Sequence, residues 1–165
     1  MKTPICKNCA WEGQLCLSCQ QKLEKNSISQ LDVEVSKILY KINETHNITE
    51  ASFSKALDFG NVVVLLTEGE AGILIGKSGK VVSAISSALG RKVRIVKYSG
   101  DFKRSIQDML APARLLGINT SWSGGEEKMK VRLPASDKEK LYVDESTLRS
   151  VIKTWMGKDV DIIFE

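Results

Sequence analysis

All four cysteines of this chain lie near its start, in two closely spaced pairs. Cys6-x2-Cys9 and Cys16-x2-Cys19 are separated by six residues. Two such turns can bring four thiolates to the corners of a tetrahedron, the closed arrangement of structural zinc sites. A segment this short cannot bury enough apolar surface to fold alone, so the bound metal would supply its folding energy. We expect Cys6, Cys9, Cys16 and Cys19 to hold a structural Zn²⁺ with no open position for catalysis.

The same cysteines leave three alternatives to a zinc site. Iron takes an identical set of four thiolates, so zinc versus iron stays open, whereas a redox Cys-x2-Cys needs only one pair. Two disulfides would require an oxidising compartment. The N-terminus lacks the apolar stretch of a signal peptide, and the longest apolar run, Val62 to Leu66, is too short to cross a bilayer. We therefore expect a cytoplasmic protein in a reducing environment, with no membrane partner.

A second group of residues suited to binding surrounds the loop Gly76-Lys77-Ser78-Gly79, called here the glycine loop. Glycines let a sugar-phosphate backbone approach closely, and the N–H groups that open the following helix attract phosphate. Between Gly76 and Arg104 there are eight basic residues and one acid, although the whole chain has a net charge of only +4. The candidate nucleic-acid-binding residues are Ile75, Gly76, Lys77, Ser78, Gly79, Lys80, Arg91, Lys92, Arg94 and Lys97.

Apolar periodicity predicts the elements that position this loop. Leu31 to Ile42 has the spacing of one helical face, with Ser27 or Ser29 as the cap. Residues 48–57 are ambiguous between strand and loop. The order that follows is strand, short helix, glycine loop, helix and strand, at 62–67, 70–75, 76–79, 80–89 and 92–98. The loop therefore joins two helices inside a mixed α/β unit.

The C-terminal part repeats this pattern without a gap. A shift of 67 residues superposes Val64 on Val131, Ile85 on Ile152 and Ile95 on Ile162. A helix at 101–110 and a hairpin at 123–125 complete the second copy. At the position of the glycine loop this copy has the sequence Val143-Asp144-Glu145-Ser146, so we expect it not to bind phosphate. Trp122 and Trp155 are expected in the core.

These residues resemble a known family. The pattern Ile-Gly-x-x-Gly-x-x-Val at 75–82, within this helix and strand order, is similar to a KH domain of type 2. Two such units in tandem resemble the KH pair of NusA-like transcription elongation and termination factors, which archaea carry as short proteins. The resemblance implies an α+β, two-layer fold with two tandem KH type 2-like domains at 28–99 and 100–165. The N-terminal zinc-binding knuckle at 1–25 is predicted from the cysteines and lies outside this resemblance. It also implies single-stranded RNA binding, with the nascent transcript and RNA polymerase as partners.

Three rival functions are weighed against this one. Ala71 to Ser78 fits a relaxed phosphate-loop pattern of an ATPase, but Ile73-Leu74-Ile75 suits an apolar helix better than a loop wrapped around phosphate. No Ser/His/Asp site can form around the single histidine, His46, so we expect no enzyme. A protein adaptor that uses the knuckle to grip a partner, and an RNA-binding factor associated with ribosomal components, remain alternatives.

Overall fold

The computed structural model describes residues 1–98 and 100–165, which form two compact units. The first unit covers Met1–Tyr98, and the second extends from there to Glu165. The predicted boundary at residue 99 lies outside the described residues. Each unit mixes helices with a three-stranded sheet, so the predicted α+β class is confirmed.

The first unit contains five helices, a single 3-10 turn and three strands within the described residues. They are α1 (Lys7–Glu12), α2 (Leu17–Glu24), α3 (Gln30–Ile42), β1 (Phe53–Asp58), β2 (Val62–Thr67), α4 (Ala71–Ile75), the 3-10 turn Lys77–Gly79, α5 (Lys80–Leu89) and β3 (Lys92–Lys97). The sheet order is β1-β2-β3. Strands β1 and β2 are antiparallel, whereas β2 and β3 are parallel and are connected through α4 and α5.

Local chemistry explains where α3 begins. The Ser29 side chain accepts a hydrogen bond from the Asp32 N–H at 3.1 Å, and Asp32 accepts one from the Ser29 N–H at 2.9 Å, which is a complete capping box. Asp32 also accepts a hydrogen bond from the Ala56 N–H at 2.7 Å. This buried carboxylate therefore links the start of α3 to β1. The ambiguous segment 48–57 contains most of β1.

The core of the first unit lies between the sheet and helices α3 and α5. Val35, Leu39, Val63, Leu65 and Ile85 are each fully buried there. All six residues of β2 are buried, as its continuous apolar run predicts. Leu74 of α4 also enters this core, so the short helix before the glycine loop is fixed in place.

The second unit repeats the arrangement. Its elements are α6 (Phe102–Leu110), β4 (Gly117–Ser123), β5 (Glu126–Leu133), the 3-10 turn Ala135–Lys140, α7 (Glu145–Met156) and β6 (Asp159–Phe164). The order β4-β5-β6, with an antiparallel and then a parallel pairing, matches that of the first sheet. The 67-residue shift carries β3 onto β6. At the position of α4, however, the second unit has the end of its 3-10 turn.

One prediction about this unit was wrong. Trp122, expected in the core, is 72% exposed on β4. Trp155 is half-buried on α7 and contacts Phe102, with ring centroids 5.3 Å apart. Among the described residues, no helix is both long enough and apolar enough to cross a membrane.

Candidate nucleic-acid and metal sites

The glycine loop is a tight turn between α4 and α5, built on three residues with positive φ. Gly76 has φ 76° and ψ 171°, Ser78 has φ 56° and ψ 28°, and Gly79 has φ 73° and ψ 18°. Three backbone hydrogen bonds hold the turn: the Gly76 N–H donates to the Gly72 carbonyl at 2.8 Å, the Gly79 N–H donates to the Gly76 carbonyl at 3.2 Å, and the Lys80 N–H donates to the Lys77 carbonyl. The loop is therefore preformed.

The two glycines are required for different reasons. A Cβ on Gly76 would lie 2.5 Å from Val81 Cγ2 and 2.8 Å from the Val81 backbone nitrogen. A Cβ on Gly79 would have its nearest neighbour at 3.8 Å, so that position is restricted only by its φ. Close packing of the loop against the first turn of α5 thus makes glycine necessary at 76.

The loop presents its charged and polar side chains to solvent. Lys77, Ser78 and Lys80 are exposed, and Ile75 is 39% exposed. Helix α5 begins at Lys80, and the start of a helix carries N–H donors without a partner inside the helix and the positive end of the helix dipole. Cations and backbone donors therefore converge at one place.

The remaining basic candidates lie on β3 or immediately before it, at increasing distance from the loop. Lys97 is at the end of the sheet from which α4 continues, and its Nζ lies 3.5 Å from Glu70 Oε1. Arg94 is half-buried in the middle of the strand. Arg91 and Lys92 lie beyond the other end of α5, a ten-residue helix about 15 Å long. Arg91 is paired there with Asp58 at 2.7 Å and with the Gly60 carbonyl at 3.1 Å.

The second unit fills the corresponding position with its own carboxylate. Asp144 caps α7 and accepts hydrogen bonds from the Thr147 N–H at 3.2 Å and the Thr147 hydroxyl at 2.6 Å. The Ser146 hydroxyl also donates to it. The donors from Ser146 and Thr147 lower the pKa of Asp144 to about 2, so it is ionised at neutral pH. An internal anion thus occupies this helix start, a role that the Asp144-x-x-Thr147 capping pattern could have signalled.

The four cysteines come together as their spacing predicts. One sulfur from each lies within 4.8 Å of the others. Cys6 and Cys16 are the N-caps of α1 and α2, while Cys9 and Cys19 follow in the first turns and are buried. The Cys16 N–H donates to Cys9 Sγ at 3.0 Å, and the Cys6 N–H points to Cys19 Sγ at 3.5 Å.

The electrostatics of the cluster favours thiolates on its outer side. The Cys19 N–H, together with the neighbouring sulfurs, lowers the pKa of Cys16 to about 7, and the Cys9 N–H lowers the pKa of Cys6. Burial raises the pKa of Cys19. None of the four cysteines forms a disulfide, and the Sγ atoms of Cys6 and Cys9 are 3.2 Å apart. Because a tetrahedral Zn²⁺ with bonds of about 2.3 Å needs sulfurs roughly 3.8 Å apart, the cluster fits this ion after small adjustments.

The knuckle, residues 1–25, packs directly against α3. Its small core consists of Ile5, Cys9, Cys19, Ile28 and Val33. Lys37 Nζ donates to the Gly13 carbonyl at 3.1 Å, and the rings of Trp11 and Tyr40 are 6.4 Å apart. Lys2 exchanges backbone hydrogen bonds with Ala51 and Phe53, next to β1. Sequence reasoning missed this docking because no local pattern encodes it.

Comparison with known proteins finds relatives of the segment around the glycine loop. Residues 25–98 match the family described as NusA-like first KH domain. The chain is 30% identical over 76 residues to the probable transcription termination protein NusA of Methanococcus vannielii. It is 37% identical over 54 residues to the protein of the same name from Methanocaldococcus jannaschii. These matches cover 46% and 33% of this chain, and 44% and 30% of the relatives, so less than half of each relative is spanned.

A solved structure supports the fold of a larger part of the chain. The crystal structure of APE1850 superposes with a TM-score of 0.57 at 24% identity, over 77% of this chain and 96% of that one. At this identity the likeness concerns the fold alone.

Proposed function

We propose that the chain binds single-stranded RNA through its glycine loop and acts as a NusA-like factor in transcription elongation or termination, because residues 25–98 match the family described as NusA-like first KH domain. The observation that carries the proposal is the preformed loop with Lys77, Ser78 and Lys80 exposed at the start of α5. The two curated relatives are named as probable transcription termination proteins, which supports the biological role. The nascent transcript and RNA polymerase are then the partners.

The backbone of the RNA is held first. A phosphate that approaches the glycine loop meets the ammonium groups of Lys77 and Lys80 and the backbone donors of the α5 N-terminus. The missing side chains at Gly76 and Gly79 let the sugar-phosphate chain come within hydrogen-bond distance of these donors. This contact reads no bases, so it gives affinity and position rather than sequence preference.

Bases are then held beside the loop. Ile75 offers exposed apolar surface on one side, and β3 is the edge strand of the sheet on the other. Arg94 and Lys97 extend the basic charge along this strand. Arg91 and Lys92 lie a helix length away from the loop, so they contact only the far end of a bound strand.

The second unit does not bind phosphate in this proposal. Asp144 already accepts hydrogen bonds from the Thr147 N–H and the Thr147 hydroxyl at the start of α7, and its negative charge repels a second anion. The first unit alone binds RNA, and the chain performs no catalysis.

The knuckle supports the RNA-binding unit through a structural zinc ion. Cys6, Cys9, Cys16 and Cys19 would supply four thiolates, which closes the coordination sphere and leaves no position for a substrate. Because the knuckle packs on α3, the ion stabilises the position of that helix. Elemental analysis of the purified protein should give one zinc per chain; stoichiometric iron or no metal would contradict the assignment.

A titration tests the RNA-binding proposal. The double variant Lys77→Asp, Ser78→Asp introduces acidic residues as in the second unit, whereas Lys25→Asp, Ser27→Asp makes the same charge change at an exposed turn after α2. Each protein is titrated into short fluorescent single-stranded RNA of mixed sequence at two salt concentrations, with circular dichroism as the folding control.

We expect wild-type binding to weaken as salt is added. In a plot of the logarithm of the association constant against the logarithm of the salt concentration, each neutralised phosphate contributes a slope of about −0.7. The loop variant should bind at least about tenfold more weakly, because a tenfold change needs only about 1.4 kcal/mol and two phosphate contacts become repulsive. The turn variant should bind like wild type. Equal binding by the folded loop variant, or no binding by any protein, would favour the adaptor function instead.

A further inference from the structure

Strand β4 is an edge strand without the charged side chains that usually prevent an edge from pairing with a strand of another chain. It lies at the edge of the sheet β4-β5-β6, and its sequence Gly-Ile-Asn-Thr-Ser-Trp-Ser contains no charge. The other sheet edges carry charges: Lys55 and Asp58 on β1, three basic residues on β3, and Asp159 and Asp161 on β6. Charges on edge strands discourage association with another chain, so β4 is the edge that permits it.

An exposed indole marks the same strand. Trp122 is 72% exposed, and it shares one face of the sheet with Ile118 and Thr120. The pairing register sets Ile118 opposite Val131 and Thr120 opposite Met129, both of which are buried. Trp122 therefore lies on the face of the sheet that packs against the core. It stands near the end of β4, beyond the buried apolar residues of that face.

We propose that two copies of this chain pair their β4 strands antiparallel about a two-fold axis at Thr120, which joins the two sheets into one of six strands. Such an interface is isologous, so the strand must be complementary to itself. This inference is independent of RNA binding, which uses the other unit.

The sequence of β4 meets that requirement. Centring the pair on Thr120 sets Ile118 opposite Trp122 of the second copy, twice by symmetry. Pairs of aromatic and β-branched residues are favourable cross-strand neighbours. Asn119 falls opposite Ser121, and Gly117 falls opposite Ser123, so no charges meet and no bulky pairs clash. Both indoles become covered.

The association should be weak and reversible. A single seven-residue strand pair buries less than the roughly 800 Å² per partner of a standard stable interface. We therefore expect a monomer–dimer equilibrium that depends on protein concentration.

Cysteine cross-linking tests the register. In an antiparallel pair, facing Cα atoms are about 4.5–5.5 Å apart, within the range that a disulfide spans. In Thr120→Cys the two new thiols face each other, whereas in Ser123→Cys they would be about 20 Å apart along the strands. After mild oxidation of the full-length protein, mass spectrometry should find the peptide with residue 120 linked to its own copy, and no such product for residue 123. Equal linkage of both, or of neither, overturns the proposal.

A second pair of variants separates association from folding. Thr120→Lys sets two ammonium groups against each other at the axis, while Thr120→Val keeps a strand-favouring side chain there. In sedimentation equilibrium, wild type and Thr120→Val should associate with rising concentration and Thr120→Lys should stay monomeric. A wild type that is monomeric throughout, or a Thr120→Lys that associates equally, contradicts the inference.

Discussion

Gly76→Ala should destabilise the first unit much more than Gly79→Ala, although both glycines belong to the same loop. Gly76 has φ 76° and ψ 171°, a region open almost only to glycine, whereas Gly79 is left-handed with φ 73° and ψ 18°. An added methyl group on Gly76 would also press on Val81 at 2.5 Å, while Gly79 has room.

The magnitudes follow from these differences. For Gly76→Ala, backbone strain of about 1–3 kcal/mol adds to a similar cost of forcing Val81 aside, about 2–6 kcal/mol in all. For Gly79→Ala, a left-handed alanine costs about 1–2 kcal/mol, and the lower entropy of the unfolded chain offsets about 0.4–1 kcal/mol of it. Gly72→Ala is the control: it lies within α4 with nothing within 4 Å of its Cβ, so it should stabilise by about 0.5–1 kcal/mol.

Amide hydrogen exchange of the buried strand β2 measures these free energies, because it reports opening of the first unit separately from the second. Without RNA, the expected order of stability is Gly72→Ala, wild type, Gly79→Ala and then Gly76→Ala. A Gly76→Ala protein as stable as Gly79→Ala would refute the reasoning that the loop is packed against α5.

Three further predictions concern the rest of the chain. Cys9→Ser removes one of the two buried thiols among the four proposed zinc ligands and should abolish stoichiometric zinc in elemental analysis. Asp32→Ala leaves the Ala56 N–H unpaired and breaks the cap of α3, which should cost about 2–4 kcal/mol in the same hydrogen-exchange assay. Arg114 and Lys140 lower the pKa of Asp137, so the contribution of this carboxylate to stability is complete above about pH 4 and is lost as the pH falls below that. Urea unfolding measured as a function of pH should show this loss of stability. The variant Asp137→Asn should lack this pH dependence.

Much of the fold could be predicted because its signals are local. The buried run at 62–67, the Gly90 turn and the helical face of α3 each follow from periodicity and capping. The cysteine cluster was predicted because ligand spacing alone determines which sulfurs can meet.

What could not be predicted depends on tertiary neighbours. Trp122 was wrongly expected in the core. Amino-acid composition does not reveal that β4 is an edge strand, or that its end lies beyond the buried apolar residues of the sheet. The ion pair of Arg91 with Asp58, and the docking of Trp11 beside Tyr40, join residues far apart in sequence. Basic residues that are close in sequence were treated as one surface, although α5 separates Arg91 from the loop by its whole length.

The central claim is that RNA contacts the glycine loop of the first unit and not the equivalent position of the second. Amide chemical shifts of the ¹⁵N-labelled protein, followed while a short single-stranded oligouridine is added, test it directly. We predict that the signals of Gly76, Gly79 and Lys80 move in a saturable manner, while those of Glu145, Ser146 and Thr147 stay in place. Movement confined to the second unit or to the knuckle, with the loop signals unchanged, would contradict the account.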